Sequence, residues 1–262
     1  MGKAGAMALT RIDLNSDLGE GYGVYRIGDD EAMLAIVSSA NVACGFHAGD
    51  PEIMARCFTV ARSRGVAIGA HPGLPDIIGF GRRRIPFSAG EIERLFAYQI
   101  GAAQALAAYV GHTITYVKPH GALANIAETD REVADAMVRA TRAVDPGLAF
   151  LAIALSEQAR AAEAAGLRTV AEVFADRNYA DSGRLLPREL PGALITDPAE
   201  AASRTVRMVE ARAILTADGT ALATDIGSVC VHSDAPGAVE RARHVRRALE
   251  AAGIRVASFS EP

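Results

Sequence analysis

The chain has 262 residues, half of them hydrophobic, with 27 basic side chains against 31 acidic ones. That is enough for one large core, and the near-balanced charge gives no reason to expect a nucleic acid or an anionic membrane as partner. No apolar run reaches the ~20 residues of a membrane span, and three scattered cysteines, Cys44, Cys57 and Cys230, point to reduced thiols in a cytoplasmic protein rather than a disulfide framework.

Residues 1–10 lack the apolar segment of a signal peptide and read as a disordered extension, leaving 11–262 as a single domain. From there, short apolar runs alternate with longer amphipathic, Ala-rich runs, the pattern of repeated βα units on a parallel sheet. Strands are predicted at Arg11–Asp17, Asn41–Gly45, Val66–Ala70, Thr115–Lys118, Ala149–Leu155, Thr169–Phe174 and Ser228–His232. The helices between them carry end signals. Asp50-Pro51 and Asp197-Pro198 place an N-cap acid before a first-turn proline. Ser88 with Glu91, and Thr129 with Glu132, fit capping boxes, and Gly65, Gly111, Gly166 and Gly253 stand where a left-handed residue closes a helix. The last helix, about 238–252, sets Val239, Ala242, Val245, Ala248 and Leu249 on one stripe and arginines on the other. Gly79–Arg84 and 178–192 read as insertions. Seven parallel strands in sequence imply an α/β fold, a seven-stranded parallel (β/α) barrel, whose chemistry belongs at the C-terminal strand ends.

Reactive side chains collect at those ends. Asp13-Leu-Asn15-Ser-Asp17-Leu-Gly-Glu20 closes the first strand, and the others run into His47 and Asp50, His71, Lys118 and His120, Glu172, Asp176 and Arg177, and His232 and Asp234. Four of the six histidines fall there, leaving out only His112 and His244. Alternation along a strand puts Asp13, Asn15 and Asp17 on one face and Ile12 and Leu14 on the other. The apolar pair must face the helices and the polar trio the barrel interior, where three polar groups are costly without partners or function. Plainer readings exist for individual residues. Asp50 serves as an N-cap, Lys118 belongs to a structural salt bridge, Cys44 and Cys230 are small core residues, Arg82–Arg84 form a solvated face, and Asp176 with Arg177 makes a loop ion pair. Together the groups suit hydrolysis of an acyl or amide bond. Histidines with Asp17 can hold a divalent cation that activates water, or act as general acids and bases without one, while Lys118 and the arginines can hold an anion or an oxyanion.

The strings 15–20, SANVACGFHAGD (39–50), IGAHP (68–72), GFGRR (79–83), VKPHGA (117–122), EVFADR (172–177) and 230–234 resemble those of the LamB/YcsF family, in order along nearly the whole chain. The resemblance implies a barrel similar to the glycoside hydrolase/deacetylase superfamily. It also implies the A subunit of a 5-oxoprolinase, which uses ATP with magnesium to open the lactam 5-oxoproline to L-glutamate together with B and C subunits. Asp17, His47, His71, Lys118 and His120 are then the expected catalytic set. Asn15, Glu20, Arg82, Glu172, Asp176, Arg177 and His232 are the expected substrate-binding set. Two positions depart from the family pattern: Ala124 stands where Tyr is usual, and Ser233 where Gly is usual. Loss of the Tyr is expected to enlarge the pocket. No phosphate-binding loop motif is present, so either Arg82–Arg84 hold the nucleotide or a partner protein of the complex phosphorylates the substrate. The competing readings are a metal-dependent, ATP-independent amide hydrolase or deacetylase, and a non-catalytic lactam-binding subunit.

Overall fold

A computed structural model describes residues 11–260; the N-terminal extension lies outside the described residues. In chain order the elements are β1 (Arg11–Leu18), α1 (Asp30–Leu34), β2 (Ser39–Ala43), α2 (Pro51–Arg64), β3 (Ala67–His71), α3 (Ala89–Tyr109), β4 (Ile114–Val117), α4 (Gly121–Ala127), α5 (Arg131–Val144), β5 (Ala149–Ile153), α6 (Glu157–Ala164), β6 (Thr169–Phe174), α7 (Pro198–Ala211), β7 (Ala213–Leu215), β8 (Ala221–Ala223), β9 (Ile226–Cys230), α8 (Ala238–Ala251) and β10 (Arg255–Val256). Seven strands, β1 to β6 and β9, pair in parallel, and β9 returns to β1 to close the barrel. β10 takes the same edge of β1 one step lower, at Arg11 and Ile12. None of the helices among the described residues is long and apolar enough to cross a membrane.

The end signals act largely as predicted. Asp50 accepts from the amides of Glu52 and Ile53, Asp197 from Glu200, and Ser88 with Glu91 forms a full capping box. Gly65, Gly111, Gly166 and Gly253 all adopt positive φ. Three expectations need correction. Asp130, not Thr129, caps α5, because its carboxylate reaches the amides of both Glu132 and Val133. On α8, Arg241 is buried beside Ala242, Val245 and Leu249, so the arginines do not all lie on the solvent side. The predicted strands 41–45, 66–70 and 228–232 each slide by one or two residues. The antiparallel hairpin β7–β8 was not foreseen, since three-residue strands carry too little periodicity to be read.

Parity in β1 holds. Ile12, Leu14 and Leu18 are buried in the main apolar core. Asp13, Asn15 and Asp17 are buried too, but among polar groups. Asp13 accepts from Ser38 (2.7 Å), Ser39 (2.6 Å) and Ser228. Asn15 donates to Glu172 (2.8 Å) and Ser228 (2.7 Å) and accepts from Asn41 (2.7 Å). The Tyr116 hydroxyl donates to Asn41 (2.7 Å). Every buried polar group of this layer therefore has partners, as the desolvation penalty requires. Gly69 makes room for it, because a Cβ there would collide with the Tyr116 ring. Below the layer, Tyr116, Ala149, Leu151 and Val170 form a small apolar plug with Phe259, whose ring meets Tyr116 edge-on at 5.0 Å. The C-terminal tail thus closes the N-terminal end of the barrel, and a site can open only at the other end.

Candidate active site

At the C-terminal mouth lies a cavity of about 570 Å³. Asp17, His71, Lys118, His120, Glu172 and His232 form its inner wall, and Arg82, Arg84, Arg177 and Arg188 ring its outer part. Asp17 comes from β1, His71 from β3 and Glu172 from β6. Lys118 and His120 follow β4 on either side of Pro119, and His232 follows β9, so the chain supplies these groups from five separate strands.

The Lys118 ammonium is the hub. It lies 2.9 Å from Asp17 Oδ1 and 3.0 Å from Glu172 Oε1, with Cys230 Sγ at 3.2 Å. Burial works against its charge, but Asp17 and Glu172 outweigh burial and hold its pKa well above the ordinary lysine value. The two carboxylates respond in opposite ways. Burial raises Asp17, yet His71 and Lys118 overcome it and keep the group ionised well below the usual range. For Glu172 burial wins over Lys118, and the pKa rises. Carboxylates pushed apart by their surroundings are a mark of divided acid and base duties.

His232 donates through Nδ1 to Asp176, at 2.9 and 3.1 Å. Asp176 resists burial because of that imidazole, and its pKa falls to about 2. The predicted Asp176–Arg177 ion pair is therefore not what forms; Arg177 instead donates to the Leu186 carbonyl at 2.5 Å. His232 Nε2 has no hydrogen-bond partner among the described residues, and the ring faces the cavity stacked on Phe174 at 5.4 Å.

The remaining histidines gather to one side. His71 Nδ1 donates to the Lys118 carbonyl (2.8 Å) and His120 Nε2 to that of Phe80 (2.8 Å). His47 stacks on His120 at 3.6 Å, and Glu20 Oε1 is 3.4 Å from both His47 Nε2 and His120 Nδ1. Burial, reinforced by the neighbouring rings, depresses the pKa values of His47 and His120, and burial beside Asp17 raises Glu20. The insertion 79–84 presses onto this group. Gly81, at φ 64°, sits where a Cβ would be 2.5 Å from His47 Cβ, so only glycine permits the approach.

Of the twelve predicted site residues, Asp17, His71, Lys118, His120, Arg82, Glu172, Arg177 and His232 line the cavity. Asn15 does not, because its amide is already spent on Glu172, Ser228 and Asn41. His47 and Glu20 stand behind the wall, and Asp176 behind His232. The solvated face expected of the arginine run is only partly seen: Arg83 pairs with Asp76, whereas Arg82 reaches Asp234 at 2.5 Å and, like Arg84, lines the cavity. Ala124 also lines it. Sequence reasoning missed Arg188, whose loop position in 178–192 carries no periodic signal.

A family model for LamB/YcsF matches residues 12–262. The chain belongs to the LamB/YcsF family. It is 62% identical over 249 residues to a protein of Azorhizobium caulinodans named as the A subunit of 5-oxoprolinase, covering 95% of this chain and 98% of that one. To the Gluconobacter oxydans protein of the same name it is 54% identical over 254 residues, 97% of this chain and all of the other. The crystal structure of the lactam utilization protein from Thermus thermophilus superposes with a TM-score of 0.90 at 45% identity, covering 95% of this chain and 100% of that one.

Proposed function

We propose that this LamB/YcsF protein is the hydrolytic A subunit of an ATP-dependent 5-oxoprolinase, opening 5-oxoproline to L-glutamate in company with B and C subunits. The observation that carries the reading is Lys118, held between Asp17, whose pKa is kept low, and Glu172, whose pKa burial raises, on the floor of a cavity ringed by arginines. The names of the relatives support the substrate class.

With the lactam oxygen already phosphorylated and placed over Lys118, water adds to the activated carbon, and the ammonium stabilises the negative charge borne by the phosphorylated oxygen as the tetrahedral adduct forms. His232, oriented by Asp176, takes the proton from the attacking water, and the Asp176 carboxylate stabilises the imidazolium that forms. Asp17 accepts a hydrogen bond from the water and fixes its approach. Glu172 supplies the proton that the departing ring nitrogen needs; C–N cleavage leaves the acyl phosphate of glutamate, and a second water releases inorganic phosphate and L-glutamate. Arg82, Arg177 and Arg188 offer bidentate positions for the substrate carboxylate and for a phosphoryl group carried on the lactam oxygen. Activation by ATP is required because the amine of the opened ring stays tethered and recloses readily. With no phosphate-binding loop motif in the sequence, we assign phosphorylation to a site shared with one of the partner proteins.

The test is glutamate release from 5-oxoproline, measured with and without ATP, magnesium and the B and C subunits. Turnover that needs every component is expected. Cleavage of an N-acyl compound by the isolated chain without ATP would replace the proposal with an amide hydrolase or deacetylase. Tight 5-oxoproline binding unaffected by loss of His232 would leave only a binding role.

A further inference from the structure

The histidines beside the cavity turn ring nitrogens toward one another. A backbone carbonyl only accepts, so His71 Nδ1 and His120 Nε2, each 2.8 Å from one, must both carry hydrogen. Their other nitrogens, His71 Nε2 and His120 Nδ1, then point at each other across 3.0 Å. Glu20 Oε1 completes the group, 3.4 Å from His120 Nδ1 and 3.4 Å from His47 Nε2. Four donor atoms, one from each residue, lie within 4.8 Å of one another. Such a convergence of imidazole and carboxylate donor atoms suits a bound cation.

We propose that Glu20, His47, His71 and His120 bind one divalent transition-metal ion of the zinc class. Tetrahedral ligands at about 2.1 Å from zinc stand about 3.4 Å apart, close to the 3.0–3.4 Å separations found here. The distal nitrogens of His71 and His120 are clamped by carbonyl groups, which is how ligating imidazoles are oriented. Phe80, which supplies one of those carbonyls, adopts an unusual φ of 54° to do so. Imidazoles with a single carboxylate favour zinc or cobalt over calcium, magnesium or manganese. The neighbouring group of Asp17, Cys230 and His232 is a poorer metal site, because the Lys118 ammonium already sits 2.9 Å from Asp17 and 3.2 Å from Cys230 Sγ. His71 and His120 line the cavity, so the ion lies in its wall beside Asp17.

The metal site rests on this geometry, independently of the lactam reading, and its test needs no turnover. The full chain is stripped with a chelator and titrated with cobalt(II), whose bound form absorbs in the visible. One equivalent is expected to bind, displaceable by zinc. His47→Ala and His120→Ala should each weaken binding at least about tenfold while circular dichroism stays native, and Glu20→Gln, nearly isosteric, should also weaken it. Cys230→Ser should leave the stoichiometry at one. Because a native-state ligand raises the unfolding temperature, zinc should also raise that of the unsubstituted chain. No cobalt spectrum and no zinc stabilisation, or a spectrum lost in Cys230→Ser but kept in His47→Ala, overturns the proposal.

Discussion

Lys118 compensates two buried carboxylates at once, so its loss does more than remove the charge proposed to act in catalysis. Lys118→Met strands Asp17 and Glu172 beside each other in the barrel interior, and an uncompensated buried charge costs about 3–5 kcal/mol. Urea unfolding should show that loss along with abolished turnover. Asp176 calls for a different outcome: Asp176→Asn disorients His232 and should lower kcat by roughly 10²- to 10⁴-fold with little change in KM, measured on the assembled enzyme. Asp13 concerns stability alone. Burial, only partly offset by its serine partners, lifts its pKa to about 6 from the ordinary 3.8. Between those values the folded chain holds a proton that the unfolded chain has released, so stability falls as pH rises through this window and then levels off. The loss is about 3 kcal/mol at most. Asp13→Asn should flatten the slope between about pH 4 and 6 relative to the unsubstituted chain, as followed by urea midpoints. Strand parity made the inward faces of Asp13, Asn15 and Asp17 legible in the sequence. It did not reveal that Asn15 spends its amide on structure, since that depends on Glu172, Ser228 and Asn41 arriving from other strands.

Elements were legible where their signals are local. The Asp-Pro pairs and the Ser88–Glu91 box act through atoms within one helical turn, and they hold. Thr129 failed because Asp130, one residue on, offers the stronger acceptor to the same turn. Strand bounds slid because apolar runs continue past the last ladder pair. Asp50→Ala should therefore cost about 1 kcal/mol through loss of the α2 cap, read from urea midpoints. Gly69 in β3 is a harder constraint: a methyl there meets the Tyr116 ring and must displace the tyrosine that donates to Asn41. Gly69→Ala is expected to cost about 1–3 kcal/mol, visible as a lower unfolding temperature.

At the scale of the whole molecule, seven ordered strands announced a barrel, but the means of closing its base were not readable. Arg255–Val256 is too short to register as a strand, and Phe259 is a lone aromatic in a polar tail. Yet β10 pairs with β1, Ser258 bonds Ser39 at 3.0 Å, Ser260 bonds Thr115 at 2.8 Å, and Phe259 stops the interior. Deleting the chain from Arg255 onward should uncover Tyr116 and cost about 2–4 kcal/mol, or roughly 5–15 °C in Tm, seen by calorimetry. The same stopper sets the traffic through the molecule. With no second opening among the described residues, the reactant, water and ring-opened product of the proposed reaction share one entrance, so product must depart before the next reactant arrives, and accumulated product should inhibit competitively.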